Sequence, residues 1–318
     1  MSGSKPVALV IGASRGIGRQ IAIDLAKSKY AVVVAAKSIS NASPSTNPSP
    51  PDPNSAQSTI TTVEREIKEA GGEAVAVAVD VRDLDSVESL VKKTIEADVL
   101  IYNPGAIWWA SVEDTPMKRF QLMQHVNPEG LYGAVQAALP HLKRSRSGGR
   151  IIAVSPPIYS RFFRGKTAYA IGKVGMSVLT KGLAMDFERQ GLVEPGEEEG
   201  GMAVTSIWPA VAIESAATDQ FIRQDPDKAR DLRKPTIFTD AILAILGAPA
   251  SVVNGQLLLD EDFLRDYCGV TDFSRYSVVP GSRPRRIMPA KLPDLTVMEQ
   301  DDEGNRYDSA KARRVSKL

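Results

Sequence analysis

The chain has 318 residues, 43% of them hydrophobic and 24% charged, a composition that fits a folded protein with a large core. Its 39 Lys and Arg against 38 Asp and Glu leave a net charge of +1, which argues against a general nucleic-acid binder because that function needs a basic excess. Cys268 alone cannot build an internal disulfide framework, and two histidines, His125 and His141, argue against a metal site of several Cys and His ligands.

The opening MSGSKPVALVIGAS holds an apolar run too short for a secretory leader and is expected to enter the fold as a strand. With the lone cysteine, that suggests a reducing compartment. VALVIG (7–12) is continuously apolar, as a strand buried on both faces should be. A Gly-rich turn follows, then helical spacing in RQIAIDLAKSK (19–29) and a second strand, AVVVAAK (31–37). Residues 38–58 are rich in Ser, Pro and Asn without periodicity and are expected to be a disordered surface insertion.

Helix 59–72 is ended by glycines, strand 73–81 follows, then helix 83–97 with acids in its first turns and strand 98–103. A long helical region over 115–145 contains Pro128; RIIAVS (150–155) is a strand and 168–190 a long helix. Residues 193–201 form an acidic solvated loop, MAVTSIWPA (202–210) a strand, 241–250 a helix end stopped by Gly247 and Pro249, and VNGQLLLD (253–260) the last strand. Every apolar run falls short of the length a membrane span needs, so no transmembrane helix is expected. Strands alternating with helices imply the α/β class: a single Rossmann-type, doubly wound parallel sheet with helices on both faces and ligands at the carboxyl ends of the strands. One domain is expected over 1–275. The pattern fades after it, and 276–318 read as an extended tail ending in Ser316-Lys317-Leu318, a tripeptide that the peroxisomal import receptor recognises.

The turn after the first strand reads Gly12-Ala13-Ser14-Arg15-Gly16-Ile17-Gly18. Its glycines permit a tight turn and close backbone approach, and the helix behind offers free N–H groups and a positive dipole end to a pyrophosphate. The spacing is G-x-x-x-G-x-G, placed between a strand and a helix as a dinucleotide site requires. NAD enzymes carry Asp or Glu about 20 residues on. Here Lys37 takes that place at the end of the second strand, and Arg15 lies inside the turn. Two cations and no acid favour NADP(H); the alternative is that both are ordinary surface charges. Asp80, near the end of the third strand, is placed to accept from an adenine amino group.

Tyr169-Ala-Ile-Gly-Lys173 puts a phenol and an ammonium on one helix face. Acting near pH 7–8 requires the phenol pKa to fall from about 10, at a cost of about 3–4 kcal/mol. One positive charge ~5 Å away supplies about 3 kcal/mol at an effective dielectric of about 20.

With GASRGIG (12–18), Asp80-Val81, YNPG (102–105), Asn127 in HVNPEG, GRIIAVS (149–155), Tyr169 with Lys173, and WPA (208–210), the chain resembles the short-chain dehydrogenase/reductase family over about residues 6–265, in its order and spacing. DVRD, DTPMKRFQLM, SPP and WPAVAIESAATD look closest to its hydroxysteroid dehydrogenase-like branch, whose larger members carry a sterol carrier domain that this chain has no room for. The resemblance implies that Tyr169 exchanges the substrate proton and that Lys173 holds the nicotinamide ribose and lowers the Tyr pKa. It also implies that Asn127 sits at a helix kink and anchors a relay water (or simply caps a broken helix). Gly12, Ser14, Arg15, Gly16, Ile17, Gly18, Lys37, Asp80, Val81, Asn103, Tyr169 and Lys173 would line the cofactor. One departure stands out: the position of the family's catalytic Ser, upstream of the Tyr, is occupied here by Pro156. Losing such a donor costs about 10²–10³ in rate; Ser155, Tyr159 or Ser160 would have to substitute.

These features lead to an NADP(H)-dependent enzyme interconverting a ketone and a secondary alcohol on a lipid-like, acyl-CoA or secondary-metabolite substrate in the peroxisome, in the manner of a family whose members form homo-oligomers. Residues 211–240 would form the substrate lid, with Ile213, Phe221 and Ile222 facing an apolar ligand. Arg161, Arg164 and Lys166 would meet a CoA phosphate or be solvated surface charges. The alternatives are an enoyl-type C=C reductase and a cofactor-binding protein with little turnover.

Overall fold

A computed structural model describes residues 5–40, 50–94, 97–145, 147–193 and 200–295. Strands β1 (Val7–Ile11), β2 (Ala31–Ala36), β3 (Glu73–Ala78), β4 (Ala97–Tyr102), β5 (Arg150–Val154), β6 (Ala203–Trp208) and β7 (Leu257–Leu259) form one sheet. They are all parallel, in the order β3-β2-β1-β4-β5-β6-β7. The period of two in β1 feeds two cores. Ala8 and Val10 pack with side chains of α1 (Gly16–Lys27), α2 (Ile60–Glu69) and, far along the chain, Phe238 and Ile242. Leu9 and Ile11 pack on the other face with α3 (Leu84–Lys93), Leu131 and Ala134, and Met176 and Phe187. The doubly wound α/β sheet with helices on both faces is therefore as expected.

Local chemistry explains most boundaries. Thr59 and Thr62 close a capping box at the start of α2, and the Asp83 side chain accepts from the Asp85 and Ser86 N–H groups at the start of α3. The helical region around Pro128 is broken. α4 (Met117–Gln124) passes through a π turn at His125–Glu129 into α5 (Gly130–Leu142), because proline cannot donate into the ladder. α6 (Thr167–Arg189) is long and runs unbroken through the tyrosine–lysine pair. The strand expected over 253–260 is shorter: Ala250–Val253 form a helical turn, and Asn254 Oδ1 accepts from Val204 N–H, so pairing with β6 begins only near Leu257.

Two expectations of looseness fail where the chain is described. Within 38–58, residues 41–49 lie outside the described residues, but 50–58, though mostly exposed, are anchored at the buried Pro51 and Ser58. Ser58 is fully buried and donates to the Ser14 carbonyl at 2.6 Å, and the Gly16 N–H donates to the Pro53 carbonyl at 2.9 Å. The segment is polar because its partners are backbone groups rather than apolar surface. Likewise residues 276–292 are no extended tail. Tyr276 and Met288 are buried, Arg285 pairs with Asp231 and Arg286 with Asp262, and Ile287 N–H donates to the Ala210 carbonyl. Most of the acidic loop (194–199), and 296–318 with Ser316-Lys317-Leu318, lie outside the described residues. No described helix is long and apolar enough to cross a membrane.

Candidate active site

From β1 the chain winds outward through β2 and β3, then returns to β4 and winds the other way. The crevice at the carboxyl ends of β1 and β4 is where such sheets bind ligands. Gly12 leaves β1 with φ +83°, and a Cβ there would lie 2.8 Å from the Pro104 nitrogen. A Cβ on Gly18 would run into the Gly12 carbonyl and lie 2.6 Å from Asn103 Nδ2. The Asn103 amide donates to that carbonyl at 3.1 Å and ties β4 to β1. Arg15 is the N-cap of α1 but provides no side-chain cap, and the first turn carries no acid. Ser14 is buried and Ile17 half-buried on the core, so the turn presents its backbone. An uncapped helix start behind a glycine turn fits a dinucleotide pyrophosphate. The Pro53 carbonyl already engages one of its N–H groups, that of Gly16.

At the neighbouring corner, Lys37 follows β2 and Asp80 follows β3. Lys37 Nζ lies 3.0 Å from Asp80, and Arg82 grips the same carboxylate through Nε at 2.9 Å and a second nitrogen at 2.5 Å. Arg82 above all, then Lys37, holds Asp80 well below the usual carboxylate range. The Asp80 carboxylate is therefore already paired with two cations, while the largely exposed Lys37 keeps reach into solvent. Sequence reasoning passed over Arg82; its position just beyond Asp80 at a strand end was the available signal. Val81 is buried, its carbonyl so close to Gly130 that a Cβ there would lie 3.0 Å away.

A third corner is built by the π turn and α6. Asn127 is fully buried and clasps the loop after β4: Oδ1 accepts from Ala106 N–H at 2.9 Å and Nδ2 donates to the Ala106 carbonyl at 3.2 Å. A Cβ on Gly105 would lie 3.4 Å from Lys173 Nζ and 3.9 Å from Asn127 Oδ1, so these groups converge. Lys173 Nζ donates to the carbonyls of Val154 at 2.8 Å and Pro104 at 3.4 Å. Tyr169, one turn earlier, is buried between Trp109 and Phe162, with ring centroids 6.4 and 6.1 Å away. Burial pushes the Tyr169 phenol up and the Lys173 ammonium down to about 7. The expected lowering of the phenol by the lysine is therefore outweighed by burial in the protein alone.

Ser155 does not reach this corner. It is fully buried, its hydroxyl 2.7 Å from Ser206 Oγ and 3.0 Å from Ser177 Oγ, and Ser177 also donates to the Pro156 carbonyl at 2.6 Å. The backbone turns Ser155 into the packing between β5, β6 and α6, which corrects its assignment as a substitute donor. Ser160 is exposed and lies off the cavity wall. Tyr159, by contrast, lines the same cavity of about 730 Å³ as Tyr169, together with Trp109, Phe162 and Trp208. Helix α7 (Ala216–Gln224) lays Phe221 and Ile222 over it, as the lid expectation had it, while Ile213 is buried in the core instead. The segment 285–289, missed by sequence reasoning, closes another side.

A family model described as short chain dehydrogenase matches residues 54–208. A solved short chain dehydrogenase homolog from Mycobacterium thermoresistibile is 35% identical, with a TM-score of 0.73 over 88% of this chain and 92% of that one. The chain belongs to the short-chain dehydrogenase family. It is thus an oxidoreductase by family, and a solved structure from Xanthomonas campestris is similar over 94% of this chain at 34% identity and a TM-score of 0.74. The hydroxysteroid dehydrogenase-like protein 2 of Danio rerio is 37% identical over 86% of this chain, and that of Homo sapiens 35% over the same share. The chain spans 60% of the length of those two curated relatives.

Proposed function

We propose that this short-chain dehydrogenase interconverts a ketone and a secondary alcohol on a lipid-like substrate, with NADP(H) as cofactor. The observation that carries this reading is Tyr169: a phenol on the wall of an aromatic-lined cavity, one helical turn from Lys173, itself beside Asn127 and the Gly105 backbone. The cofactor, when bound, supplies or takes the hydride. The Gly12–Gly18 turn and the start of α1 would hold its pyrophosphate, Lys173 its nicotinamide ribose, and Arg15 and Lys37 a 2′-phosphate. Tyr169 gives its proton to the carbonyl oxygen on reduction and takes it back on oxidation. Lys173 favours the phenolate by its charge while it holds its proton, and Asn127, fixed in the π turn, orders the proton path behind the lysine. Tyr159, which lines the same cavity, offers it a second hydroxyl.

The enoyl-reductase reading draws on Pro156 and the inward-turned Ser155, since C=C reduction does not require that hydroxyl. A panel of ketones, alcohols and enoyl-CoA esters with NADPH or NADH, read at the nicotinamide absorbance band, separates the two. Ketone turnover supports the proposal; enoyl turnover alone, or no turnover with any compound, overturns it. Two further properties belong to the same reading. Ser316-Lys317-Leu318 addresses the chain to the peroxisome through the import receptor, so removing Leu318 leaves a tagged protein in the cytosol. Self-association as a homo-oligomer uses the exposed Ile171, Val178 and Met185, spaced two turns apart along α6, and sedimentation measures it.

A further inference from the structure

The cavity above Tyr169 is apolar in its walls and cationic in its charges. Five cationic side chains line it (Arg161, Lys166, Lys228, Arg285 and Arg286) against one carboxylate, Asp231. Asp231 is held by Arg285 at 2.5 Å, and Arg286 is paired with Asp262 at 2.7 Å. Arg161, Lys166 and Lys228 have no carboxylate partner among the described residues. Lys166 is the inner one. It directly precedes α6, just ahead of Tyr169, with its Nζ 4.2 Å from the Phe162 ring centre and 5.6 Å from that of Trp109. A half-buried ammonium resting on two aromatic faces, without an anion, is incompletely compensated for the water it has lost. Burial alone depresses the Lys166 pKa, in keeping with a site short of one negative charge.

We propose that the substrate is an anionic amphipath: an apolar or aromatic body seated among Trp109, Phe221 and Ile222, carrying a carboxylate or phosphate that docks on Lys166, with Arg161 and Lys228 at the rim. The inference rests on the ketone–alcohol reading and deepens it by placing an anion-binding group on the wall of the same cavity as Tyr169. The oxygen anion exchanges a strong hydration shell for charge-assisted hydrogen bonds, while the body covers the aromatic walls.

The test titrates decanoate, decyl phosphate and neutral methyl decanoate into the full-length protein, followed by calorimetry and by the fluorescence of Trp109 and Trp208. It then compares NADPH-dependent turnover of 9-oxodecanoate and its methyl ester. The anions are expected to bind at least about 10-fold tighter than the ester, the value of one charge-assisted hydrogen bond. That ratio should shrink to under about threefold in Lys166→Gln and persist in Lys92→Gln, an exposed lysine on α3. In the unaltered protein, raising salt from about 50 to about 500 mM should weaken decanoate and spare the ester, which keeps the test open if Lys166→Gln does not fold. The tighter of carboxylate and phosphate identifies the source of the anion. Equal affinity for acid and ester, or a preference indifferent to both Lys166→Gln and salt, overturns the inference. Turnover without an anion preference leaves the ketone reading standing; an anion preference without any turnover does the reverse.

Discussion

Lys173→Met should stabilise the protein while removing its activity. The Lys173 ammonium is wholly enclosed, and burial lowers its pKa from 10.5 to about 7. That gap corresponds to about 5 kcal/mol of unfavourable burial of charge. The variant also forfeits the hydrogen bonds to the Val154 and Pro104 carbonyls, at about 1 kcal/mol each. The net gain is about 2–3 kcal/mol, or roughly 5 °C in Tm. Below pH 7 the lysine is charged in both states and the full penalty opposes folding. Between pH 7 and 10.5 the unfolded chain holds the proton and the folded one does not, so the unaltered protein becomes more stable as pH rises. Scanning calorimetry at about pH 6, 7.5 and 9.5 should therefore show the variant's advantage largest at the lowest pH and narrowing upward. A variant less stable than its parent at pH 6, or an advantage independent of pH, would refute this account of the buried ammonium.

Three other outcomes follow from the same geometry. Gly18→Ala sets a Cβ against the Gly12 backbone carbonyl, which has no side-chain freedom with which to yield, and should cost about 2–4 kcal/mol in urea unfolding and abolish NADPH binding by calorimetry. Asp260 is fully buried with Oδ2 unpartnered, and burial raises its pKa from 3.8 to about 7. Its protonated folded form loses stability as pH climbs from 3.8 to 7, because the unfolded chain releases the proton first. Asp260→Asn escapes that loss, so unfolding at about pH 4.5 and 7.5 should show its relative stability growing by about 3 kcal/mol; a constant difference would contradict the burial argument. Lys37→Asp should raise the KM for NADPH by about 10-fold or more while improving NADH, and unchanged cofactor preference would remove the case for a 2′-phosphate there.

Much of the fold was legible because its signals are local. The unbroken apolar runs of β1 and β2 mark strands buried on both faces, and the Gly12–Gly18 turn between β1 and α1 marks the ligand edge. The one-turn spacing of Tyr169 and Lys173 survives intact because α6 is regular. Pro128 announced the break that became the π turn holding Asn127. What escaped depends on contacts distant in sequence. The residues near 50–58 are ordered by backbone partners in the glycine turn far back along the chain, and 285–289 by Asp231 and Ala210, neither of which leaves a periodic trace. The direction of the Ser155 hydroxyl was likewise set by Ser177 and Ser206, on elements the chain reaches later. The spacing of Tyr169 and Lys173 alone reports only their charge interaction. In the fold, desolvation acts on both groups and dominates.

The central claim is that Tyr169 moves the substrate proton. Steady-state reduction of the best ketone of the panel by NADPH, compared between the unaltered protein and Tyr169→Phe, tests it most directly. The account predicts a fall in kcat of about 10²–10⁴-fold with NADPH affinity preserved, since the phenol lines the substrate cavity and only its proton is removed. Undiminished turnover in Tyr169→Phe would contradict it.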